Sequence, residues 1–336
     1  MKKSFVLILL ILPGLLLAQV KKRKEIPPTL TSKLAAADAQ YQTLLSLNNK
    51  DKRVAEVASQ YHAILETHGK NSQTLSAIRK LAAIEAYKLD SPKKAIALLE
   101  PAVTIPGLAA KLAAEIKLEL ADVYVMNNQP WDAILLYGQV DKDFENQDIG
   151  NEAKYRSARL SFYQGNFAFA KSQLDYIKAS TSQLAANDAL NLSLLISDHL
   201  EKPADTLALH LFAAAELMQF RNDAKSAFEK LDSIPIVHPE HSLTDDSLMA
   251  KSRIYIKRGD YNQAEGLLKE LISHPTQSIW TDDAIFMLAG LYENQLRQPE
   301  QAKALYQKLI TDFPGSMFTA EARIHFRRLR GDKIGS

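Results

Sequence analysis

The stretch YIKRGDYNQAEGLL, residues 255–268, contains the pattern that decides the fold. Gly259 and Asp260 interrupt a helical pattern, and Tyr261, Ala264 and Leu268 follow at helical spacing. Glycine at such a break supplies a tight turn between two helices. A small residue such as Ala264 lets a neighbouring helix pack closely against the second helix. This stretch therefore predicts two helices joined by a short turn.

The same pattern recurs along the chain. An alanine stands at the matching position of the second helix in six segments, and the intervals between these alanines are 38, 37, 57, 37 and 38 residues. These anchor alanines are Ala95, Ala133, Ala170, Ala227, Ala264 and Ala302. One pair of helices cannot bury its apolar face alone, so repeated pairs stack into a solenoid.

The repeated pattern resembles the tetratricopeptide repeat (TPR) family. The resemblance rests on a small residue before an aromatic residue in the first helix (Ala289 and Tyr292), on the turn pattern and on a terminal proline such as Pro314. It covers roughly residues 35–330, with a period near 37 instead of the family's 34. Residues 288–314 look like repeats of exported bacterial cell-envelope TPR proteins. The implied fold is all-α, a right-handed α-solenoid of stacked helix-turn-helix repeats.

The 57-residue interval between Ala170 and Ala227 breaks the period. Residues 184–200 are predicted to form an extra helix, and residues 203–220 the first helix of the next unit. The predicted divisions are listed in chain order: a signal peptide at 1–18, a flexible leader at 19–32, N-terminal repeats at 33–182, an irregular junction at 183–226, C-terminal repeats at 227–317, and a capping helix with a basic tail at 318–336.

The N-terminus has the three-part layout of a secretory signal peptide. Lys2 and Lys3 precede an apolar run at residues 4–17, and a cleavage point follows Ala18. The run is shorter than the ~20 residues that span a bilayer. We therefore expect an exported protein, periplasmic or associated with the outer envelope, without an integral span after cleavage. The alternative is an uncleaved membrane anchor, because the basic residues 21–24 oppose translocation.

The amino-acid composition excludes several kinds of site and of partner for this protein. The chain has no cysteine, which excludes disulfides, thiolate metal sites and a lipoprotein anchor. Its net charge of +2 comes from Lys2 and Lys3, and the remaining chain is neutral because basic clusters at residues 21–25 and 323–333 offset an acidic body between them. A nucleic-acid-binding domain carries a basic face across its body, so we expect no nucleic-acid partner.

Catalytic motifs are absent from the sequence. It has no G-x-S-x-G, H-E-x-x-H, Walker A or G-x-G-x-x-G pattern. Ser91 and Lys94 match S-x-x-K, but Ser91 stands where a helix needs an N-cap. The segment 238–241, His-Pro-Glu-His, is interpreted as a loop because proline prevents a regular helix through it. We predict no enzymatic activity, no cofactor and no metal site, and packing roles for Trp131 and Trp280.

Two functions remain open at this point. The first is a non-catalytic scaffold of the bacterial cell envelope that binds a protein or peptide partner on a concave TPR surface. The alternative is an enzyme or accessory factor that acts on peptidoglycan or another glycan, with its site in the irregular region 184–226.

The TPR resemblance also implies a binding surface. In TPR proteins the groove is lined by first-helix residues at fixed offsets from the anchor alanine. Carried over by register, the partner-binding residues are Tyr155, Arg159, Phe162, Tyr163, Phe212, Glu216, Phe220, Met249, Arg253, Lys257, Phe286 and Asn294. Aromatic and arginine side chains are enriched at interface hot spots, and such a surface suits a peptide with a carboxylate group. The alternative is that Tyr155, Phe212 and Phe286 pack against the preceding helix.

Overall fold

The computed structural model describes residues 29–44, 52–180, 183–200, 203–237, 243–273 and 278–332. Regular structure in these ranges is helical throughout. The helices are α1 (Leu30–Leu44), α2 (Lys52–His68), α3 (Leu75–Ala83), α4 (Pro92–Val103), α5 (Ala110–Met126), α6 (Pro130–Asp143), α7 (Asp148–Tyr163), α8 (Phe167–Ser180), α9 (Gln183–Asp198), α10 (Pro203–Phe220), α11 (Ala224–Val237), α12 (Leu243–Arg258), α13 (Tyr261–Ile272), α14 (Thr281–Asn294), α15 (Pro299–Asp312) and α16 (Thr319–Arg330). A π-helical turn, Ile84–Lys88, continues α3.

The helices stack in consecutive pairs, which confirms the predicted all-α solenoid. From α1 to α9, each helix packs against the one that follows it, and the same holds from α10 to α16. The first helices of successive pairs also contact one another, α5 with α7, α7 with α10, and α10 with α12. We call α5, α7, α10 and α12 the first-helix row. At the break in the period, α10 packs on α7, and α9 packs on α7 and α8.

The anchor alanines are the most deeply buried feature of every unit. Ala95, Ala133, Ala170, Ala227, Ala264 and Ala302 are each 0% exposed. A larger side chain at these positions would push the paired helix away, because protein interiors are already close-packed. The predicted repeat register therefore agrees with the packing.

A residue in the left-handed backbone region forms the turn in all six units with an anchor alanine. These residues are Asp90 (φ 51°), Asn128 (φ 61°), Gly165 (φ 77°), Asn222 (φ 61°), Gly259 (φ 81°) and Arg297 (φ 55°). Gly165 has a second constraint, since a Cβ atom there would lie 2.5 Å from the His210 ring. Glycine adopts the left-handed turn at position 165 without strain and also leaves room for the His210 ring of α10.

The end of α10 contacts units that lie far behind it in the sequence. Arg221 Nε donates to the Val125 carbonyl oxygen (3.0 Å), and Arg221 Nη2 donates to Asn128 Oδ1 (2.9 Å). Phe220 packs against the apolar clusters of the N-terminal units. Lys257 Nζ donates to Asn222 Oδ1 (2.5 Å), which ties α12 to the same turn. These contacts join the two halves of the first-helix row.

The structure corrects one local expectation. Trp131 is 78% exposed, so the predicted packing role for this residue is wrong, whereas Trp280 packs against the C-terminal core. Thr281 is the first residue of α14, and its hydroxyl donates to the Ser278 carbonyl. Residues 1–28, 238–242 and 333–336 lie outside the described residues, and with them the predicted signal peptide and the His-Pro-Glu-His segment.

Substitution of an anchor alanine tests the register. We expect Ala133→Leu to lower the free energy of unfolding by about 1–3 kcal/mol, because the larger side chain overpacks the α5–α6 contact. Ala168→Leu is the matched control, since Ala168 is exposed on the equivalent second helix α8, and it should change stability by less than about 0.5 kcal/mol. Urea denaturation followed by circular dichroism measures both values. Equal stability of the two variants would contradict the register.

Candidate functional site

Three of the twelve predicted binding residues are buried in the core. Phe162 is 1% exposed, Phe212 is 7% exposed and Met249 is 0% exposed. Their side chains pack between helices and, as placed, do not reach a partner. For Phe212 this is the packing alternative raised from the sequence.

Arg159 on α7 lies inside a box of aromatic rings. Its guanidinium carbon is 5.8 Å from the ring centre of Tyr155, 5.9 Å from that of Tyr163 and 5.3 Å from that of Phe220. These distances are in the range of cation–π attraction. Within the described ranges, the guanidinium has neither a hydrogen bond nor an ion pair. Four predicted residues thus form one cluster, and its arginine keeps unused N–H donors. We call Arg159, Tyr155, Tyr163 and Phe220 the arginine box.

Glu216 on α10 lies next to the arginine box. Burial raises the pKa of its carboxyl above the ordinary value, while the charges of Arg253 and Arg159 lower it. Among the described residues, no donor hydrogen-bonds to this carboxylate and no cation lies within ion-pair distance. Like Arg159, it is partly exposed. Glu216 lies one turn before Phe220 on α10, and its carboxylate has no direct contact with Arg159 or Arg253.

Arg253 on α12 continues this series toward the C-terminus. Its guanidinium is exposed and lies 5.0 Å from the ring centre of Trp280. The indole Nε1 of Trp280 donates to Asp246 Oδ1 at 3.0 Å, which fixes the ring under the arginine. Trp280 was not among the predicted binding residues, yet it supports one of them.

Arg156, one turn from Arg159, has a different environment. Its Nη1 donates to Asp122 Oδ2 (2.7 Å), and its Nε donates to Glu152 Oε1 (2.7 Å). The Tyr137 hydroxyl donates to the other Asp122 oxygen (2.6 Å). Every charge in this network has a partner inside the protein, so the network holds α5, α6 and α7 together.

A cavity of about 600 Å³ lies between the N-terminal helices. Its walls are mainly apolar, and charged groups stand at its edge. The lining residues are Tyr41, Ser72, Leu75, Ser76, Arg79, Lys80, Ala82, Ala83, Tyr87, Leu99, Leu112, Glu119 and Val123. The charges at the edge are already paired, because Arg79 donates to Glu119 and Glu115 while Lys80 contacts Asp38 at 2.7 Å. The cavity therefore has mainly apolar walls, and the charged groups at its edge already form ion pairs within the protein.

None of the predicted binding residues lines this cavity. The same offsets from the anchor alanines nevertheless select two residues that do. The offsets that select Tyr155 and Phe162 from Ala170 select Lys80 and Tyr87 from Ala95. Both Lys80 and Tyr87 line the cavity. The prediction began at the Ala170 unit and so did not reach this part of the chain.

Tyr87 lines the cavity, and its hydroxyl lies within electrostatic range of Asp122, Arg156 and Arg159. Burial raises the pKa of its hydroxyl; the charge of Asp122 raises it further, and the charges of Arg156 and Arg159 lower it. The cavity and the arginine box thus flank the same tyrosine.

The remaining predicted residues lie apart from the arginine box. Phe286 stacks on Phe318 with ring centres 4.7 Å apart, so it supports the contact with the last part of the chain. Asn294 Nδ2 donates to the carbonyl oxygen of Gly290 in its own helix (3.0 Å). Lys257 is exposed and bonds to Asn222. Phe286 and Asn294 thus make their contacts within the C-terminal units, whereas Lys257 contacts the turn that follows α10.

The described part of the chain contains no group of three or more histidine, aspartate or glutamate side chains placed to hold a metal ion. Its helices also include none with the length and apolar character needed to cross a membrane.

The stacked pairs, buried alanines and left-handed turns define a helical-repeat protein. Residues 283–316 match the family model described as "Tetratricopeptide repeat". This match covers α14, α15 and the turn that follows, and it confirms the predicted resemblance. The resemblance to cell-envelope proteins stays a prediction. No curated protein matches the sequence.

Several solved structures resemble the chain. A tetratricopeptide repeat protein from Parabacteroides merdae matches with a TM-score of 0.36 and 11% identity, over 89% of this chain and 99% of that one. The human IFIT1 dimer with m7Gppp-AAAA matches with a TM-score of 0.35 and 16% identity, over 90% of this chain and 63% of that one. Likeness at these values does not carry a ligand over to this protein.

The partly buried Asp283 gives the fold a pH dependence that can be measured. Burial and the neighbouring Asp282 raise the pKa of Asp283 to about 6 from 3.8. A carboxyl with a raised pKa stabilises the fold below its ordinary pKa, and this contribution is lost as the pH rises through about 6. Asp283→Asn should therefore raise the melting temperature, relative to the wild type, more at about pH 7.5 than at about pH 4.5. A difference that is the same at both pH values would contradict this assignment.

Proposed function

We propose that the protein is a non-catalytic interaction scaffold of the bacterial cell envelope, and that it binds a protein or peptide partner along the first-helix row. The fold is that of a protein–protein interaction scaffold. The observation that carries the proposal is the arginine box, in which Arg159 is oriented by three aromatic rings and keeps its N–H donors unused. A pre-oriented guanidinium binds a carboxylate at little entropic cost.

The neighbouring surfaces suit an extended partner. Tyrosine, tryptophan and arginine dominate binding hot spots, and the arginine box and the Arg253–Trp280 pair consist of such residues. The cavity beside Tyr87 offers an apolar space of about 600 Å³, enough for a large side chain of the same partner. A peptide that crosses α5, α7, α10 and α12 would contact all three features.

The two histidines of the irregular region, His199 and His210, have contacts that indicate packing roles. His199 is buried and its Nδ1 lies 2.7 Å from the Leu195 carbonyl oxygen. The His210 ring lies against Phe167, with ring centres 4.6 Å apart, and closes over Gly165. These contacts favour the scaffold over a glycan-processing enzyme with its site in this region.

Export from the cytoplasm is the second part of the proposal. It is supported by the basic start, the apolar run at residues 4–17 and the cleavage point after Ala18. The partner would then be a component of the periplasm or the outer envelope.

Removal of two arginines tests the binding surface. Arg159→Ala combined with Arg253→Ala should weaken capture of partners at least about tenfold, because each substitution removes a charge-assisted contact. Crosslinking in cells followed by mass spectrometry measures capture. Arg258→Ala combined with Arg323→Ala, two exposed arginines outside the arginine box and the Trp280 pair, is the matched control. Unaltered capture by the first double variant, with circular dichroism unchanged, would move the site to another face.

The mass of the mature chain tests export. We expect protein from a periplasmic fraction to begin at residue 19, because cleavage follows Ala18, and intact-mass spectrometry determines this start. A chain that keeps Met1 and sediments with membranes would favour the anchored alternative.

A further inference from the structure

The cavity between the N-terminal helices has a floor and a rim of different chemistry. Its floor is apolar, because Leu75, Leu99 and Val123 line it and are each at most 5% exposed. Its rim includes Ser76 of α3 and Ser72 just before that helix, and both serines are exposed. The volume of about 600 Å³ lies within the range of ~300–1,000 Å³ that ligand pockets have. An apolar group can therefore enter from the solvent and reach an apolar floor.

The charged groups at the rim are occupied within the protein. Arg79 Nε donates to both carboxylate oxygens of Glu119, at 2.9 and 3.1 Å. Lys80 Nζ lies 2.7 Å from Asp38 Oδ2, and the other oxygen of Asp38 accepts a hydrogen bond from the Tyr61 hydroxyl (2.6 Å). A charged ligand group would have to compete with one of these pairs, or else lose its water without a new partner. The rim therefore favours an uncharged ligand group.

Aromatic rings form part of the cavity wall. Tyr41 and Tyr87 both line the cavity. The Tyr41 ring is restrained, because it meets the Tyr61 ring edge-on with ring centres 6.4 Å apart, and Lys80 Nζ lies 5.7 Å from its centre. Aromatic rings attract one another in edge-to-face and offset contacts beyond the effect of burial alone. Restrained rings in the wall therefore favour an aromatic group over an aliphatic one.

Three hydroxyl groups of the cavity are available to a ligand. Within the described ranges, the hydroxyls of Tyr41, Ser72 and Ser76 have no hydrogen-bond partner. Indole and phenol rings each carry one polar group that needs a hydrogen-bond partner when the ring is buried. A ring of this kind can place its apolar body over the floor and its polar group at the hydroxyls, whereas a phenyl ring uses the floor alone.

We propose that the cavity is a subsite for one tryptophan or tyrosine side chain of a peptide partner. The ring contacts Tyr41 and Tyr87 above the apolar floor, and its N–H or O–H group bonds to a hydroxyl of the cavity. The inference rests on the proposed function, because it names the residue by which the partner is anchored at this end of the surface.

The absence of cysteine from the chain allows a thiol to be placed at the rim alone. Ser76→Cys does this in the full chain, and Ser59→Cys, at an exposed serine of α2 outside the cavity, is the matched control. Each variant is equilibrated, in excess thiol, with disulfide probes that share one linker and differ in their head groups. The head groups are indole, phenol, phenyl, isobutyl, carboxylate and ammonium. Intact-mass spectrometry measures the fraction of protein that each probe labels.

The cavity should select among the probes. In Ser76→Cys the indole and phenol probes should label about tenfold more protein than the carboxylate and ammonium probes, and about threefold more than the isobutyl probe. In Ser59→Cys all probes should label within about twofold of one another, because no cavity adjoins that thiol. Ala83→Phe, added to Ser76→Cys, fills the cavity and should abolish the selection. Leu112→Phe replaces Ala83→Phe if circular dichroism shows that this variant is unfolded.

The outcomes separate this subsite from the scaffold function. Equal labelling by all probes in Ser76→Cys, preference for a charged or an aliphatic head group, or aromatic selection that survives Ala83→Phe would each overturn the subsite. The scaffold function would then still stand on partner capture through Arg159 and Arg253. Unaltered capture by the double variant of those arginines, together with aromatic selection at the cavity, would overturn the arginine surface and leave the subsite in place.

Discussion

The contact between the end of α10 and the N-terminal units holds the first-helix row together. Arg221 hydrogen-bonds to the Val125 carbonyl and to Asn128, and Phe220 packs into the N-terminal apolar clusters. The contact spans the interruption of the period, where α10 packs on α7 as the next member of the first-helix row and α9 packs on α7 and α8. Phe220 contributes to both features that matter most, since it packs against the N-terminal core and also forms one wall of the arginine box.

This arrangement separates structural charges from available ones. Asp122, Arg156 and Glu152 are joined by short bonds between α5 and α7, so their interaction is used within the fold. Arg159 faces aromatic rings instead of a carboxylate, and Glu216 faces no donor among the described residues. An external partner gains binding free energy from charged groups that have no partner inside the protein, because binding supplies hydrogen bonds that folding did not.

The sequence predicts most of the fold and only part of the site. The alanine spacing places every second helix, because a small residue is needed wherever two helices approach closely, and residues 203–220 coincide with α10. The register also selects Tyr155, Arg159, Tyr163 and Phe220, which the fold brings together. It cannot predict that Met249 is buried or that α10 docks on Val125, because these depend on how units pack across the break. The cavity beside Tyr87 was missed because the register was not extended to Ala95.

The proximity of Lys88 and Lys257 tests the α10 contact most directly. The π-helical turn and α12 meet at Asn222, where burial and the charge of Lys88 lower the pKa of Lys257. Both lysines are native, so amine-reactive crosslinking of the unmodified protein, followed by mass spectrometry of the digest, reports their separation. We predict a crosslink between Lys88 and Lys257 with a short spacer. Crosslinks confined to lysines of neighbouring units would contradict the docking of α10 on the N-terminal half.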